Sequence, residues 1–164
     1  QPKDCLESNG LDVIIADNPT SHLCQLLAAL KSCTKSLDVC MYCLSFKPIV
    51  EIIEDLSVSR NIMIRIITNG HNQRHSLASD ERQGMSRLRR LFNSGVQLKF
   101  IVVTNDGLMH HKFALIDDCL LINGSLNWTE NAIFHSYNDC VITADPRLVY
   151  SFSRQFNHFW SLDS

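Results

Sequence analysis

The sequence predicts one α/β domain spanning residues 1–164, a mixed β-sheet sandwiched between helices. Three observations point there. At 164 residues, 45% apolar and 20% charged, the chain fits a single globular domain with a sizeable core. Its first half alternates short apolar runs with stretches of helical period, the strand–helix rhythm of parallel pairing with covering helices. Its second half strings several strand-like runs together, two of them joined only by the tight Asp117-Asp118 turn.

Taken in order, "LDVIIAD" reads as a short buried strand. "PTSHLCQLLAALKSCTK" follows with Leu23, Leu26, Leu27 and Leu30 on one stripe, an amphipathic helix capped by Thr20 or Ser21. "LDVCMYCL" is a second strand, and "KPIVEIIEDLSVS" a second helix with proline in its first turn. "NIMIRIIT" is a third strand. The polar, aperiodic "NGHNQRHSLASDERQ" reads as a functional loop carrying His71, Arg74 and His75. "ERQGMSRLRRLFNSG" is helical, with Met85, Leu88, Leu91 and Phe92 inward, Arg82, Arg87, Arg89 and Arg90 outward, and Gly95 ending it. "VQLKFIVV", "KFALID", "CLLIN" and "NDCVIT" are further strands. The last helix begins at "DPRLVYSF", with Asp145 as N-cap and Pro146 at its first position.

No apolar run approaches the ~20 residues of a membrane span, so the stretch reads as soluble. A start at Gln1 and not Met leaves room for an upstream anchor, signal or tag. Seven cysteines lack the spacing of a disulfide framework. Cys40 and Cys43 fall on opposite faces of a strand, and Cys24 and Cys33 on opposite sides of a helix. Free buried thiols in a reducing compartment are the preferred reading, ahead of a zinc site built from Cys5, His22 and Cys24. Asn123 and Asn127 head two glycosylation sequons inside the suspected site, which favours a cytosol-facing protein. Net charge is −2, yet residues 60–112 carry nine bases against three acids. That local surplus favours an anionic partner held in a groove.

The chemistry concentrates between Met109 and Ala132, "MHHKFALIDDCLLINGSLNWTENA". In an extended strand His110 and Lys112 project to one face while His111 turns away. Imidazole beside ammonium is costly in a core but suits a phosphate: lysine neutralises its oxygens and histidine attacks phosphorus or moves a proton. Further on, Gly124 permits close backbone approach, and Ser125 and Asn127 can donate to oxyanions from one face. Arg87 and Arg90 are the candidate rim contacts to an anionic substrate, and Trp128 packs behind the loop.

The string His110-x-Lys112-x4-Asp117-x6-Gly124-Ser125-x-Asn127 resembles the HxK(x4)D(x6)GSxN signature of the phospholipase D superfamily. The longer stretch is similar to the Zucchini group, also called mitochondrial cardiolipin hydrolases. The resemblance implies a phospholipase D-like fold and a homodimer, since two such motifs make one site and this chain has one. It implies that His110 forms a phosphohistidine while His110 of the second copy serves as acid and base. Lys112 and Asn127 from both copies would bind the phosphoryl oxygens, with no metal or cofactor. Asp117 belongs to the motif but is expected to brace a loop or pair with a base. The group implies cleavage of single-stranded RNA, in processing of piwi-interacting RNA precursors, or alternatively hydrolysis of cardiolipin to phosphatidic acid. Its setting is the mitochondrial outer membrane, facing the cytosol. RNA is preferred because no apolar rim is visible beside the motif; a scaffold without catalysis is the remaining reading. Two departures stand out. No zinc-binding insertion separates the first strand and helix, and Asn138 occupies the place of a glutamate that orients the histidine. The Asn138 carbonyl can accept that hydrogen bond, with less polarisation of the ring.

Overall fold

The computed structural model describes residues 12–14, 19–70, 79–104 and 107–162. Its strands are β1 (Asp12–Ile14), β2 (Ser36–Met41), β3 (Met63–Asn69), β4 (Gln97–Ile101), β5 (Lys112–Ile116), β6 (Leu120–Gly124) and β7 (Cys140–Thr143). The helices are α1 (Pro19–Lys31), α2 (Lys47–Val58), α3 (Ser79–Asn93), α4 (Glu130–Phe134) and α5 (Pro146–Ser161). One seven-stranded sheet runs β1-β7-β6-β5-β2-β3-β4. The β2-β3 and β3-β4 pairs are parallel and the rest antiparallel, so the sheet is mixed as expected.

The period-2 alternation of β5 divides the core into two layers. Ala114 and Ile116 pack with Leu26 and Leu30 of α1, Ile49 and Ile53 of α2, and Leu88 and Leu91 of α3. Phe113 and Leu115 face the other way, onto Val149 and Phe156 of α5. Arg65 ties the α5 layer down: its Nε donates to Asp38 Oδ1 at 2.7 Å, and its guanidinium lies 4.9 Å from the Phe156 ring and 5.4 Å from that of Trp160.

Local chemistry explains the element boundaries. Asp145 caps α5, accepting from the Arg147 amide at 2.9 Å, and Pro146 opens the helix. Gly95, at φ 93°, ends the turn after α3, where Val96 N–H returns to the Leu91 carbonyl. Asp117 and Asp118 both take left-handed backbone, at φ 56° and 54°, and the Cys119 amide donates to Ile116 O. That is the primed turn whose twist suits a two-residue hairpin.

Several expectations are corrected. β1 does not join β2; it pairs antiparallel with β7 at the far edge, because β3 and β5 occupy both flanks of β2. α1 already includes Pro19, so neither Thr20 nor Ser21 precedes it as a cap. α3 begins at Ser79, so the second part of the expected loop is helical; His71, Arg74 and His75 lie outside the described residues. Met85 and Phe92 are exposed where inward packing was expected, since α3 overhangs the open edge strand β4. Cys24, Cys33, Cys40 and Cys140 are free thiols, but Cys119 is disulfide-bonded, against the expectation of free thiols throughout. Short α4 was not foreseen.

Candidate active site

The hairpin turn sets the register that gathers the motif. Phe113 pairs with Asn123, which places Gly124 across from Lys112 at the open end of the β5-β6 ladder. At the same end lie the carboxyl termini of β2 and β3, since Met41 pairs with Lys112 and the Tyr42 amide donates to His111 O at 2.9 Å. The carboxyl end of parallel strands, at a change of strand direction, is where α/β sheets open a crevice. Met109 N–H donates to Asn69 Oδ1 at 3.0 Å, and Thr68 Oγ1 to Met41 O at 2.8 Å. These two bonds anchor the approach to His110.

Lys112 is only 8% exposed. Its Nζ donates to the His110 carbonyl at 2.8 Å and sits 5.3 Å from the Tyr42 ring centroid. Burial pushes its pKa below the usual lysine value, with nearby Cys43 pulling weakly the other way. That carbonyl and that aromatic face leave donor capacity on an ammonium with three N–H groups. An anion at this point would take it up. His110 is exposed, with its ring 4.9 Å from that of Tyr42. Partial burial, and then the Lys112 charge, lower its pKa below 6.5. Both effects favour the uncharged ring, the form able to act as a nucleophile or base. His111 faces the other layer as expected, its ring 5.4 Å from Phe159 and 5.7 Å from Phe113.

The Gly124–Thr129 segment is stapled to the chain that follows β2. Trp128 N–H donates to Cys43 O at 3.1 Å, and Trp128 O accepts from Ser45 and Phe46 amides, each at 2.8 Å. Trp128 is buried in the core, behind the loop as expected. Thr129 caps α4 by accepting from the Ala132 amide. Among the described residues, buried Asn127 Oδ1 has no hydrogen-bond partner. A half-turn of that amide exchanges acceptor for donor, so this position suits a phosphoryl oxygen or its proton.

Other expected site residues do different work. Asp117 sits at the closed end of the hairpin, about five strand steps of ~3.3 Å from Lys112. Its carboxylate accepts from the amides of Thr34, Lys35 and Ser36 at 3.0, 2.7 and 3.0 Å and from the Thr34 hydroxyl at 2.8 Å. Burial alone would raise its pKa; those hydrogen bonds outweigh it and hold the acid below 3.8. It braces a loop, one of the two roles expected of this motif position, and at the closed end of the hairpin it stands apart from the candidate catalytic residues His110, Lys112 and Asn127. Gly124 is required by a protein neighbour: a Cβ there would lie 2.3 Å from Asp139 O. Ser125 Oγ accepts from Asp139 N–H at 2.9 Å and donates to Asn138 Oδ1 at 3.3 Å. Asn138 in turn donates to Ala132 O at 2.9 Å. Asn138 thus steadies the Ser125 turn, and its carbonyl is engaged there instead of with His110. Arg90 is taken up by Glu54 of α2, with Nε donating to Oε1 at 2.9 Å, which turns it from the rim role expected of it. Arg87 is half-buried and has no carboxylate partner among the described residues. Tyr42 was missed; its only sequence signal is an aromatic directly after a parallel strand. His22 and Cys24 belong to no cluster able to hold a metal among the described residues, and Cys5 lies outside them.

The family profile described as "Cardiolipin synthase, PLD-like domain" matches residues 26–160. A mitochondrial cardiolipin hydrolase of Chlamydomonas reinhardtii is 32% identical over 144 residues, covering 88% of this chain and 59% of that protein. The Homo sapiens mitochondrial cardiolipin hydrolase is 31% identical over 140 residues, covering 85% and 51% respectively. The chain thus spans about half the length of these relatives. Among solved structures, the phospholipase D family member Nuc of Salmonella typhimurium superposes with TM-score 0.75 at 21% identity, covering 92% of this chain and 93% of that one. NucT of Helicobacter pylori superposes with TM-score 0.72, also at 21% identity, covering 92% and 94%.

Proposed function

Because the chain belongs to the phospholipase D-like domain family, we propose that it is a phosphodiesterase working without a metal in a site shared by two copies. The observation that carries this reading is the exposed His110 held beside a buried Lys112, whose ammonium donates to the His110 carbonyl. His110 attacks phosphorus, and the P–O bond to the leaving group breaks. The leaving oxygen takes a proton from the partner's His110, which enters this step as the protonated ring, and a phosphohistidine remains. Water then attacks that phosphorus, giving its proton back to the partner's His110 as the P–N bond breaks. Lys112 and Asn127 hold the phosphoryl oxygens as negative charge builds. Because one copy supplies a single His110, pairing of two copies is part of the proposal.

Single-stranded RNA is the substrate that the basic middle segment favours, with Arg87 a candidate to follow its phosphate backbone. Cardiolipin is the second reading, favoured by the names of the relatives. Those names also support a mitochondrial setting; among the described residues no helix is long and apolar enough to cross a membrane. The test is turnover in EDTA of single-stranded RNA and of cardiolipin vesicles by one preparation, beside His110→Asn. Loss of both activities in the variant supports the chemistry, and the wild-type ratio chooses the substrate. Unchanged turnover in His110→Asn overturns the reading.

A further inference from the structure

Away from His110, α3 and β4 form a second surface. β4 is the last strand of the sheet, and among the described residues no further strand lies beyond the outer flank of α3. Met85, Leu88 and Phe92 recur along one stripe of the helix, and Leu98 and Phe100 point to the same side of the strand. Lys99, between them, points to the opposite layer and donates to Trp160 O. The result is a groove of about 600 Å³ lined by Met85, Leu88, Arg89, Phe92, Leu98 and Phe100. Phe92 is 62% exposed, and Met85 and Phe100 38% each. Scattered single apolar residues on a surface mean little, but a contiguous group beside unpaired cations is a recognition surface.

The charges agree. Arg82 and Arg89 on this helix are exposed and have no carboxylate partner among the described residues. The α3 ion pair that does form, Arg90 with Glu54, is on the flank toward α2. Guanidinium groups bind phosphate oxygens in pairs, and apolar or aromatic side chains beside them enter the headgroup–acyl boundary. Three groove residues, Met85, Leu88 and Leu98, are aliphatic or thioether side chains that offer no stacking face to a base. Met85 and Phe100 stand at the end of the sheet that also carries His110, since β4 runs parallel to β3.

We propose that the α3–β4 face docks the domain on an anionic lipid membrane, with Phe92, Phe100 and Met85 entering the interface and Arg82 and Arg89 on lipid phosphates. The apolar rim absent from the sequence reading is thus on the edge of the sheet. Docking would bring the His110 end of the sheet near the membrane surface, whichever phosphodiester is cleaved.

The test uses the His110→Asn protein, so that turnover cannot alter the lipid. Its co-sedimentation is measured with neutral phosphatidylcholine vesicles and with vesicles doped with phosphatidic acid, a monoester. Binding to the doped vesicles alone is expected, weakening with salt and falling about tenfold or more in Phe92→Ser/Phe100→Ser and in Arg82→Gln/Arg89→Gln. Both pairs are on the surface, and unchanged thermal midpoints would show that they fold. Equal binding to both vesicles, binding to neither, or binding unchanged in the variants overturns the proposal. So does loss of single-stranded RNA binding in the variants with vesicle binding retained, which would assign the face to nucleic acid. Turnover of a soluble diester with His110 restored is read separately, so failure of docking and failure of the catalytic reading are distinguishable.

Discussion

The Lys112 ammonium donates to the backbone carbonyl of His110, 2.8 Å away, so one strand terminus holds both the cation and the imidazole of the motif. The contact uses backbone, which leaves the imidazole ring free. Replacing either residue should lower turnover by about a thousandfold or more. Lys112→Met should at the same time leave the thermal midpoint unchanged or raised, because a poorly solvated buried charge is replaced by an apolar chain of similar length. Parallel activity and melting measurements check this; a collapse of the midpoint would make Lys112 structural.

The acid side of the pH profile follows from His110. Burial and the Lys112 charge lower its pKa from 6.5, so the folded state disfavours the protonated ring. Its contribution to stability is full above 6.5 and is lost as pH falls through the lower folded value. Nucleophilic competence falls over the same range. In Lys112→Met the repulsion is gone, and NMR titration of the His110 ring should find its pKa moved up toward the ordinary value.

Asp117→Asn should cost about 1–3 kcal/mol, because a carboxylate that accepts from three amides and a hydroxyl becomes a neutral amide. Asparagine tolerates the left-handed backbone at φ 56°, so the change isolates the hydrogen bonds. The native carboxylate has a pKa below 3.8, so its stabilisation is complete above that pH and lost as pH falls through the folded value. Acid unfolding of the variant should be less steep there. Turnover below the melting transition should persist; its abolition would place Asp117 in the catalytic set.

Gly124→Ala should lower both stability and turnover. The new methyl would meet Asp139 O at 2.3 Å, a backbone atom with little freedom to retreat. A cost of about 1–3 kcal/mol is expected from overpacking. Ser125→Ala, which removes hydrogen bonds without a clash, should cost about 1 kcal/mol. Chemical denaturation of the two variants side by side compares them.

Phe134 and Tyr137 are exposed on the segment from α4 toward β7, just before Asn138, which accepts from Ser125. If two copies share a site across this end of the sheet, Phe134→Glu/Tyr137→Glu should yield a folded monomer with turnover reduced at least about a hundredfold. Sedimentation equilibrium and activity on one sample decide it. A fully active monomer would end the shared-site mechanism.

Much of this protein was settled along the chain itself. Asp145-Pro146 opens α5, Gly95 ends the α3 turn, and Asp117-Asp118 closes the hairpin, each through bonds to residues a few positions away. The spacing from His110 to Asn127 was legible for the same reason: a tight hairpin turns distance along the chain into registration across it. Tertiary structure alone decided the rest. It sent β1 to β7, gave Arg90 to Glu54 and Asn138 to Ser125, wedged Asp139 against Gly124, and left Phe92 bare over an edge strand. Each of those outcomes joins elements whose meeting depends on strand order. Local periodicity reports which face of a helix or strand is apolar, and it carries no record of whether a neighbour will arrive to cover it.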